Sequence, residues 1–451
     1  MYFLFLLISV AFCKILVYAP AELKEAVRNR YSHSGLKSSL ANFGNPPYGS
    51  SIVGRVFYRE AEKLACDAIT PFNWNDEESI NSPILLVERG DCPFVVKARH
   101  AQDIGAKALI VIDNREENPE NVIMIDSGTG GNIYIPTLLI SESDGNLLKL
   151  YLEEKKEAVS LMLSFEVPYR DGHINYDIWM SSENVKIQNF LHQFYNVGAK
   201  LTKKQATFVP HYVLWYCDDC ANHGFTSDNS NCVSGGRYCA PDPDGNGPRT
   251  GRDVVIENLR QICIYKQTEN DQDYSLWFKY MKSYNTTCED MEACTEKFLK
   301  DAGIDHKKIK KCMDDSFIGN KRPILDDNTL LRDEFNTWGK LGLSFYPALI
   351  VNNFTYRGDW ESSAILKALC AGYGAYQEPD LCSQDQSPEK AESSNSTIIF
   401  ILILSFALIG AIAVFYRMWM NREMKEEMRV QVNSTVNQYF AMSDSPRNRR
   451  S

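Results

Sequence analysis

An uncharged apolar run near the carboxyl end, IIFILILSFALIGAIAVFY, constrains this chain more than any other stretch of its sequence. It occupies residues 398–416, and a helix of about 20 apolar residues can cross the hydrocarbon core of a bilayer. Basic residues, among them Arg417, Arg422 and Lys425, follow the run, and the positive-inside rule places such a flank in the cytosol. The sequence therefore predicts a transmembrane helix at 398–416 and a cytosolic tail at 417–451; a buried core helix is the alternative.

The amino-terminal residues 1–13, MYFLFLLISVAFC, form a second apolar run, which is followed by Lys14. This pattern is typical of a signal peptide cleaved near Cys13, and the alternative is a buried first strand. A signal peptide and one later span predict a single-pass type I membrane protein whose amino-terminal part is lumenal. The polar stretch at residues 383–397 is expected to link that part to the membrane.

Cysteine usage also favours a lumenal location for the residues before the span. The chain has 13 cysteines, and once Cys13 is removed with the signal peptide the remaining even set all precede residue 398. An even, one-sided set in the secretory pathway indicates disulfides. The cysteines expected to form disulfides are Cys66, Cys92, Cys217, Cys220, Cys232, Cys239, Cys263, Cys288, Cys294, Cys312, Cys370 and Cys382. Asn285, Asn353 and Asn395 stand in glycosylation sequons on the same side.

The spacing of these cysteines predicts two lumenal domains, because residues 14–168 contain two of them and residues 169–382 contain ten. In the first domain, apolar strand-like runs such as SPILLVERGDCPF alternate with one or two helices, which indicates an α/β domain. The second domain has a strand, a Cys-x-x-Cys, helical segments, an X-Pro strand and a closing helix. That order indicates a thioredoxin-like fold with a helical insertion, and Tyr346–Pro347 stands where such folds have a cis-proline.

Composition and motifs exclude several classes of function. The net charge of −10 argues against a nucleic-acid binder. Neither Gly-x-Ser-x-Gly nor His-Glu-x-x-His occurs, and the seven histidines resemble no zinc-ligand set, so we expect no enzyme, metal or cofactor. Cysteines of the Cys-x-x-Cys could supply zinc ligands together with Cys232 and Cys239, but an oxidising lumen favours disulfides. The tail has no cysteine for the RING zinc site of a membrane-anchored ubiquitin ligase.

The stretch VLWYCDDCANHG raises a redox alternative, because a strand followed by Cys-x-x-Cys is typical of thiol–disulfide oxidoreductases. An active dithiol needs a thiolate stabilised by positive charge or by a helix amino terminus. Asp218 and Asp219 disfavour a thiolate, and the residues after Cys220 are expected to form a loop. We therefore expect Cys217 and Cys220 to brace the fold, with a membrane-anchored oxidoreductase as the alternative.

Several stretches together resemble a known family. NFGNPPYGSSIVGRVFY, LLVERGDCPFVVKARHAQDIGAKALIVID and IPTLLIS resemble a protease-associated domain. GRYCAPDPDG, GRDVVIENLRQICIY and LIVNNFTYRGDWESSAILKALCAGY are similar to the central region of plant vacuolar sorting receptors. The resemblance covers residues 40–382. It departs from the family after Cys382, where the EGF-like repeats and calcium-loop signature of the plant receptors have no counterpart.

The resemblance implies a type I receptor of the Golgi, trans-Golgi network, endosomes or vacuole membrane. Such receptors bind soluble vacuolar or lysosomal cargo proteins and pass them to clathrin adaptor complexes. By position in the family motif, Arg89 of ERGDC and an acidic loop after the next strand hold the cargo peptide. Gly90 would display Arg89 beside a loop anchored by Cys92, with Cys66 as the expected disulfide partner. The loop residues are Asp113, Asn114, Arg115 and Glu116.

Two further residues of interest lie outside that constellation. His100, in the helix after ERGDC, is either a titrating group that weakens binding in acidic compartments or a solvated surface histidine. In the tail, Tyr439 and Met442 fit the tyrosine-based signal Tyr-x-x-apolar, which clathrin adaptors bind as an extended strand. The alternative for QYFAM is a disordered tail that contains a chance match.

Overall fold

The computed structural model describes residues 14–31, 35–72, 82–168, 172–201, 205–223, 230–271, 273–288, 291–319, 323–341, 345–373 and 378–384, with isolated positions between 410 and 425. The chain divides into two units, Met1–Gln384 and Asp385–Ser451. The predicted signal peptide at 1–13 lies outside the described residues, and so does most of the predicted span at 398–416. Within the described part, the structure contains no helix with the length and apolar character of a membrane span.

The amino-terminal part of the first unit is built on an eight-stranded sheet, as far as the described residues show. The strands are β1 (Lys14–Ala19), β2 (Gly35–Leu36), β3 (Ser38–Leu40), β4 (Ser51–Phe57), β5 (Ile84–Glu88), β6 (Ala108–Ile112), β7 (Thr137–Ile140) and β8 (Ser160–Ser164). Their order across the sheet is β2-β1-β8-β4-β5-β6-β7-β3. β4, β5, β6 and β7 run parallel to one another, and the outer pairs are antiparallel.

Three helices cover this sheet: α1 (Ala21–Tyr31), α2 (Phe94–Asp103) and α3 (Glu142–Lys149). α2 packs on one face, where Val95 and Ala98 share a buried cluster with Leu109 of β6. The opposite face carries α1 and α3, and β6, with the sequence ALIVI, is buried along its whole length. A parallel strand covered on both faces reads as an unbroken apolar run, which is why the sequence predicted these strands.

The second part of the first unit is built on a four-stranded sheet with the order β10-β9-β13-β14. Its strands are β9 (Ile174–Met180), β10 (Ala206–Tyr212), β13 (Ala348–Val351) and β14 (Phe354–Thr355), and a two-stranded sheet pairs β11 (Cys232–Val233) with β12 (Tyr238–Cys239). β9 and β10 are parallel, whereas β13 is antiparallel to both β9 and β14. The cis peptide bond predicted at Tyr346–Pro347 is present immediately before β13.

Helices fill the long insertion between β10 and β13 and flank it. They are α4 (Val185–Gly198), α5 (Asp218–His223), α6 (Gly251–Asp271), α7 (Ser275–Ser283), α8 (Met291–Ala302), α9 (His306–Ser316), α10 (Thr329–Leu341), α11 (Ser362–Ala371) and α12 (Asp380–Gln384). Buried aromatic side chains join this insertion to the sheet: Phe208 of β10 lies 5.0 Å from both Trp277 and Phe278 of α7, measured between ring centroids. The helices therefore share one core with the thioredoxin-like sheet.

Three local expectations differ from the structure. The strand expected directly before the Cys-x-x-Cys lies earlier and ends at Tyr212, and Trp215 makes only an isolated bridge to Cys239. The loop expected after Cys220 is wrong as far as His223, because α5 starts at Asp218 and includes Cys220. The last helix, α12, continues to Gln384 and so includes the first residues of the stretch predicted as a linker.

The two parts of the first unit contact each other through Tyr48, which precedes β4. Its hydroxyl donates to the carbonyl of Arg357 at 2.6 Å and accepts from the Arg357 N–H at 3.0 Å. Its ring lies 5.6 Å from Phe354 and 5.4 Å from Tyr356. Polar and aromatic contacts at one side chain therefore fix the first sheet against the β14 hairpin.

Candidate functional site

The carboxyl ends of the parallel strands β4 to β7 lie along one edge of the first sheet. Tyr58, Arg89, Asp113 and Ser141 each follow one of these strands directly. In open α/β sheets, ligands bind outside the carboxyl ends of parallel strands. This carboxyl edge therefore brings Arg89 next to the loop that begins at Asp113, as the resemblance implied.

The turn that displays Arg89 is tightly held. Gly90 has a φ of +147°, a conformation that side chains other than glycine resist. The Cys92 N–H donates to the Gly90 carbonyl at 2.7 Å, and Cys92 forms a disulfide with Cys66. On the sheet side, the Arg89 N–H donates to the Ile112 carbonyl at 2.9 Å, so the turn is anchored at both ends.

Lys97 of α2 stabilises this turn from the protein interior, where its side chain is completely buried. Its ammonium donates to the Gly90 carbonyl at 2.8 Å and to the Leu64 carbonyl. Burial lowers the pKa of Lys97 to about 8, because the interior disfavours its charged form. Lys97 was not predicted as a site residue; the sequence signal for it is a lysine four residues before the core residue Ala101, on the inward face of α2.

The Arg89 guanidinium is fixed through one nitrogen. Nη1 donates to Asp113 Oδ1 at 2.8 Å and to Glu117 Oε1 at 3.2 Å, and the guanidinium lies 5.6 Å from the Phe94 ring. Within the described part of the chain, Nη2 and Nε have no hydrogen-bond partner, and the side chain is 19% exposed. The arrangement holds a cation in one orientation while two nitrogens remain able to donate to a ligand.

Asp113 has a different role from the other residues of its predicted loop. Its side chain is fully buried, and Oδ1 accepts from Arg89 and from the Asn114 N–H at 2.8 Å. Asn114, Arg115 and Glu116 are exposed. The predicted contact of Asp113 with a ligand stays a prediction; the structure shows a buried carboxylate whose pairing with Arg89 can position that side chain. The sequence analysis did not include Glu117, the second partner of Arg89.

A charged cluster adjoins Arg89 at the same edge. Glu88 Oε1 accepts from Lys149 Nζ at 2.7 Å and from the Tyr58 hydroxyl at 2.9 Å. Lys63 Nζ lies 3.7 Å from Glu88 Oε2. Burial alone raises the pKa of Glu88, but the hydrogen bonds from Lys149 and Tyr58 outweigh it and lower the pKa below its ordinary value. The cluster therefore keeps a carboxylate ionised beside Arg89.

The other residues predicted from the sequence lie elsewhere in the fold or outside the described residues. His100 is half-buried, and its Nδ1 lies 2.9 Å from the Ala65 carbonyl, so it is not a plain solvated histidine. Asn285 and Asn353 are exposed in turns, which leaves their side chains accessible. Asn395, Tyr439 and Met442 lie outside the described residues.

All of the predicted cysteines are paired in disulfides within the described part of the chain. Besides Cys66–Cys92, the pairs are Cys217–Cys220, Cys232–Cys239, Cys263–Cys312, Cys288–Cys294 and Cys370–Cys382. The sulfurs of Cys217, Cys220 and Cys232 lie within 4.8 Å of one another, a spacing that also suits a metal ion. Metal binding requires thiolates, whereas the disulfide bonds occupy these sulfurs.

Comparisons with known proteins agree with both halves of this architecture. The family model of the vacuolar sorting receptor thioredoxin-like domain matches residues 174–370, and that of the PA domain matches residues 52–148. Vacuolar-sorting receptor 4 of Arabidopsis thaliana is 34% identical over 386 residues, which cover 79% of this chain and 60% of that protein. Vacuolar-sorting receptor 3 of the same plant is 35% identical, with coverages of 76% and 58%. Vacuolar-sorting receptor 1 of Pisum sativum is 33% identical, with coverages of 79% and 60%. The chain thus spans about 60% of the length of these relatives.

Proposed function

Because this chain belongs to the vacuolar sorting receptor family, we propose that it is a transmembrane receptor that binds sorting peptides of soluble vacuolar or lysosomal proteins. The proposal places residues 14–397 in the lumen of the Golgi and endosomes and residues 417–451 in the cytosol. In this sorting role the protein acts by binding and not by catalysis, and its cytosolic partners are clathrin adaptors. The similarity to receptors and the charge pattern around 398–416 support this assignment.

The single observation that carries the binding site is the geometry of Arg89. Its Nη1 is held by Asp113 and Glu117, so the guanidinium pays little conformational entropy when a ligand binds. Nη2 and Nε can then donate to a carboxylate or to backbone carbonyls of an extended peptide. The exposed loop residues Asn114 and Glu116 border this cation and supply a hydrogen-bonding rim.

Reversing the charge of Arg89 tests the site directly. We expect Arg89→Glu in the full-length, detergent-solubilised chain to weaken binding of acid-hydrolase precursors by tenfold or more, since a charge-assisted hydrogen bond contributes about 1.5–3 kcal/mol. Affinity is measured by pull-down titration of purified precursors. The matched control is Lys107→Glu, an equal charge change at the exposed amino end of β6, at the opposite edge of the sheet. Equal binding by wild type and Arg89→Glu would remove Arg89 from the site.

The tail signal is proposed on sequence alone. Tyr439 and Met442 would occupy two pockets of a clathrin adaptor, with the intervening residues extended. We expect Tyr439→Ala to shift the steady-state location of the full-length receptor away from endosomal membranes, as measured by immunofluorescence. Phe440→Ala is the matched control, because that aromatic side chain does not occupy a signal position. An unchanged location in the Tyr439 variant would contradict the signal while leaving the Arg89 site untouched.

A further inference from the structure

Two disulfides of the second part of the chain lie side by side. Cys217–Cys220 spans the start of α5, and Cys232–Cys239 joins β11 to β12 at directly paired positions. The Cys232 sulfur lies within 4.8 Å of the sulfurs of both Cys217 and Cys220. Among the described residues, these cysteines form the one group of three that lies so close. Such proximity allows a thiolate of one pair to reach a sulfur of the other after a small side-chain rotation.

A glycine makes this approach possible. Gly236, between β11 and β12, has a φ of +82°, and its carbonyl accepts from the Cys217 N–H at 2.9 Å. A Cβ added at Gly236 would lie 2.6 Å from the Cys220 Cβ and 3.3 Å from its sulfur. Any larger residue would therefore clash with the Cys217–Cys220 disulfide, so the glycine lets the hairpin that carries Cys232 and Cys239 pack against it.

The two disulfides differ in accessibility. Cys217 is partly exposed, whereas Cys232 and Cys239 are both buried. Beside Cys217, the side chains of Trp215 and Tyr216 are 39% and 46% exposed, and Trp215 lies 5.6 Å from the ring of Tyr346. An external thiol can reach the first disulfide, and exposed aromatic side chains next to it suit an extended polypeptide. The second disulfide, by contrast, has both of its cysteines buried.

We propose that the Cys217–Cys220 and Cys232–Cys239 disulfides form one thiol–disulfide exchange centre, in which a polypeptide dithiol reduces the accessible pair and the buried pair receives the electrons. This activity goes beyond cargo binding and is independent of Arg89. It also revises the expectation that Cys217 and Cys220 only brace the fold. The structure pairs Cys217 and Cys220 with each other, as an exchange centre of this kind requires.

The reaction proceeds by successive thiolate attacks. A substrate thiolate attacks Cys217 Sγ and releases the Cys220 thiolate. The second substrate thiolate attacks the substrate sulfur of the mixed disulfide, which releases the Cys217 thiolate and leaves the substrate as a disulfide. The Cys217 thiolate then attacks Cys232 Sγ and expels the Cys239 thiolate.

In the last step, the Cys220 thiolate attacks Cys217 Sγ and releases the Cys232 thiolate. The Cys217–Cys220 disulfide is thereby restored, and Cys232 with Cys239 holds the two electrons as a dithiol. Each attacking thiol gives its proton to solvent, and each released thiolate takes one up. The net change is oxidation of one substrate dithiol and reduction of one buried disulfide. Because the thiolate is the attacking species, exchange is expected to accelerate as pH rises.

A single substitution tests the internal step. Cys220→Ser in the full-length chain leaves Cys217 as a thiol beside the Cys232–Cys239 bond. We expect peptide mapping after alkylation to find a Cys217–Cys232 disulfide and an alkylated Cys239. The matched control is Cys294→Ser, which should leave Cys288 alkylated and the other disulfides unchanged. Alkylated Cys217 together with an intact Cys232–Cys239 bond would overturn the proposal.

Reduction kinetics supply a second test that does not depend on the single variant. In wild type treated with dithiothreitol, we expect Cys217–Cys220 and Cys232–Cys239 to open before Cys263–Cys312. In the double variant Cys217→Ser, Cys220→Ser, reduction of Cys232–Cys239 should be at least about tenfold slower, since the accessible pair relays the electrons. Cys263–Cys312 serves as the internal control for folding. Equal rates of Cys232–Cys239 reduction in both proteins, or its reduction only together with Cys263–Cys312, would overturn the proposal.

Discussion

Among single residues, Asp113 shows most clearly how burial changes a role. In the sequence, a carboxylate at the end of a strand suggests a contact with a ligand. In the structure, the Asp113 side chain is completely buried. Its Oδ1 accepts from Arg89 Nη1 at 2.8 Å, and Oδ2 is a buried acceptor without a hydrogen-bond partner among the residues that the structure describes. The charge of Arg89 compensates for this burial, so the two side chains act as one unit.

Asp113→Asn tests that unit. We expect it to lower the free energy of unfolding by about 1–3 kcal/mol and to weaken cargo binding, because Arg89 loses its buried counter-ion. Urea unfolding of the full-length chain measures the first effect, and pull-down titration the second. Glu116→Gln, an exposed neutralisation in the same loop, should change stability by less than about 0.5 kcal/mol. A stable Asp113→Asn variant with full affinity would contradict the positioning role.

At the scale of elements, a histidine–glutamate pair joins β10 to α10. His211 Nδ1 lies 3.0 Å from Glu334 Oε2, which also accepts from the Tyr212 N–H at 2.9 Å. The imidazole stacks on Trp179 with centroids 4.2 Å apart. Burial alone lowers the pKa of His211, but the hydrogen bond and charge of Glu334, with Asp177 nearby, raise it above 6.5. A helix of the insertion is thereby docked on the sheet by a pair that depends on pH.

Because the pKa of His211 is raised in the folded protein, the His211–Glu334 pair stabilises the fold fully below pH 6.5. This stabilisation is lost as the pH rises through the folded-state pKa of His211. We therefore expect Glu334→Gln, which keeps an acceptor for Tyr212, to lower the urea midpoint more at pH 5.5 than at pH 8.5. His306→Gln, at an exposed histidine, is the control and should lower both equally. A pH-independent effect of Glu334→Gln would contradict the assignment.

At the scale of the first unit, Asp359 lies where the two sheets meet. Its N–H donates to the Gly44 carbonyl at 3.0 Å, and Gly44 belongs to the segment before β4. Burial raises the pKa of Asp359 to about 6, with Glu361 and Asp126 adding to the effect and Lys186 opposing it. The carboxyl is thus less stable as an anion in the folded protein than in the unfolded chain.

The raised pKa makes the contribution of Asp359 to folding stability depend on pH. The folded protein keeps the Asp359 proton between about pH 4 and pH 6, so this group's contribution to stability falls as pH rises through that window. We expect Asp359→Asn to raise the melting temperature at pH 7.5 and to change it much less at pH 4, where the carboxyl is mostly protonated in the folded protein and about half protonated in the unfolded chain. The exposed Asp301→Asn is the control. An equal shift at both pH values would show that desolvation of the carboxylate is not the cause.

Sequence patterns predicted the strands of the first sheet better than the elements of the second part. β5 and β6 are unbroken apolar runs because both faces are covered, and such runs are visible without a structure. β9, α9 and α10 were not predicted, and in α9 only Ile309 and Ser316 are buried. α9 therefore presents too narrow an apolar face to stand out in the sequence, whereas β9 has a buried alternation that the sequence contains but that was not recognised.

By itself, the sequence determined the α/β character of the first domain, the thioredoxin-like order of the second, the cis-proline position and the location of Arg89 at a strand end. These features depend on local patterns of burial and on backbone chemistry, which neighbouring residues along the chain encode. Only the tertiary structure decided that Asp113 is buried, that Lys97 supports the Gly90 turn and that Cys217 pairs with Cys220 beside Cys232. Each of these features depends on contacts between segments that are distant in the sequence. Those contacts supply the partners without which burial of a charged side chain would cost too much free energy.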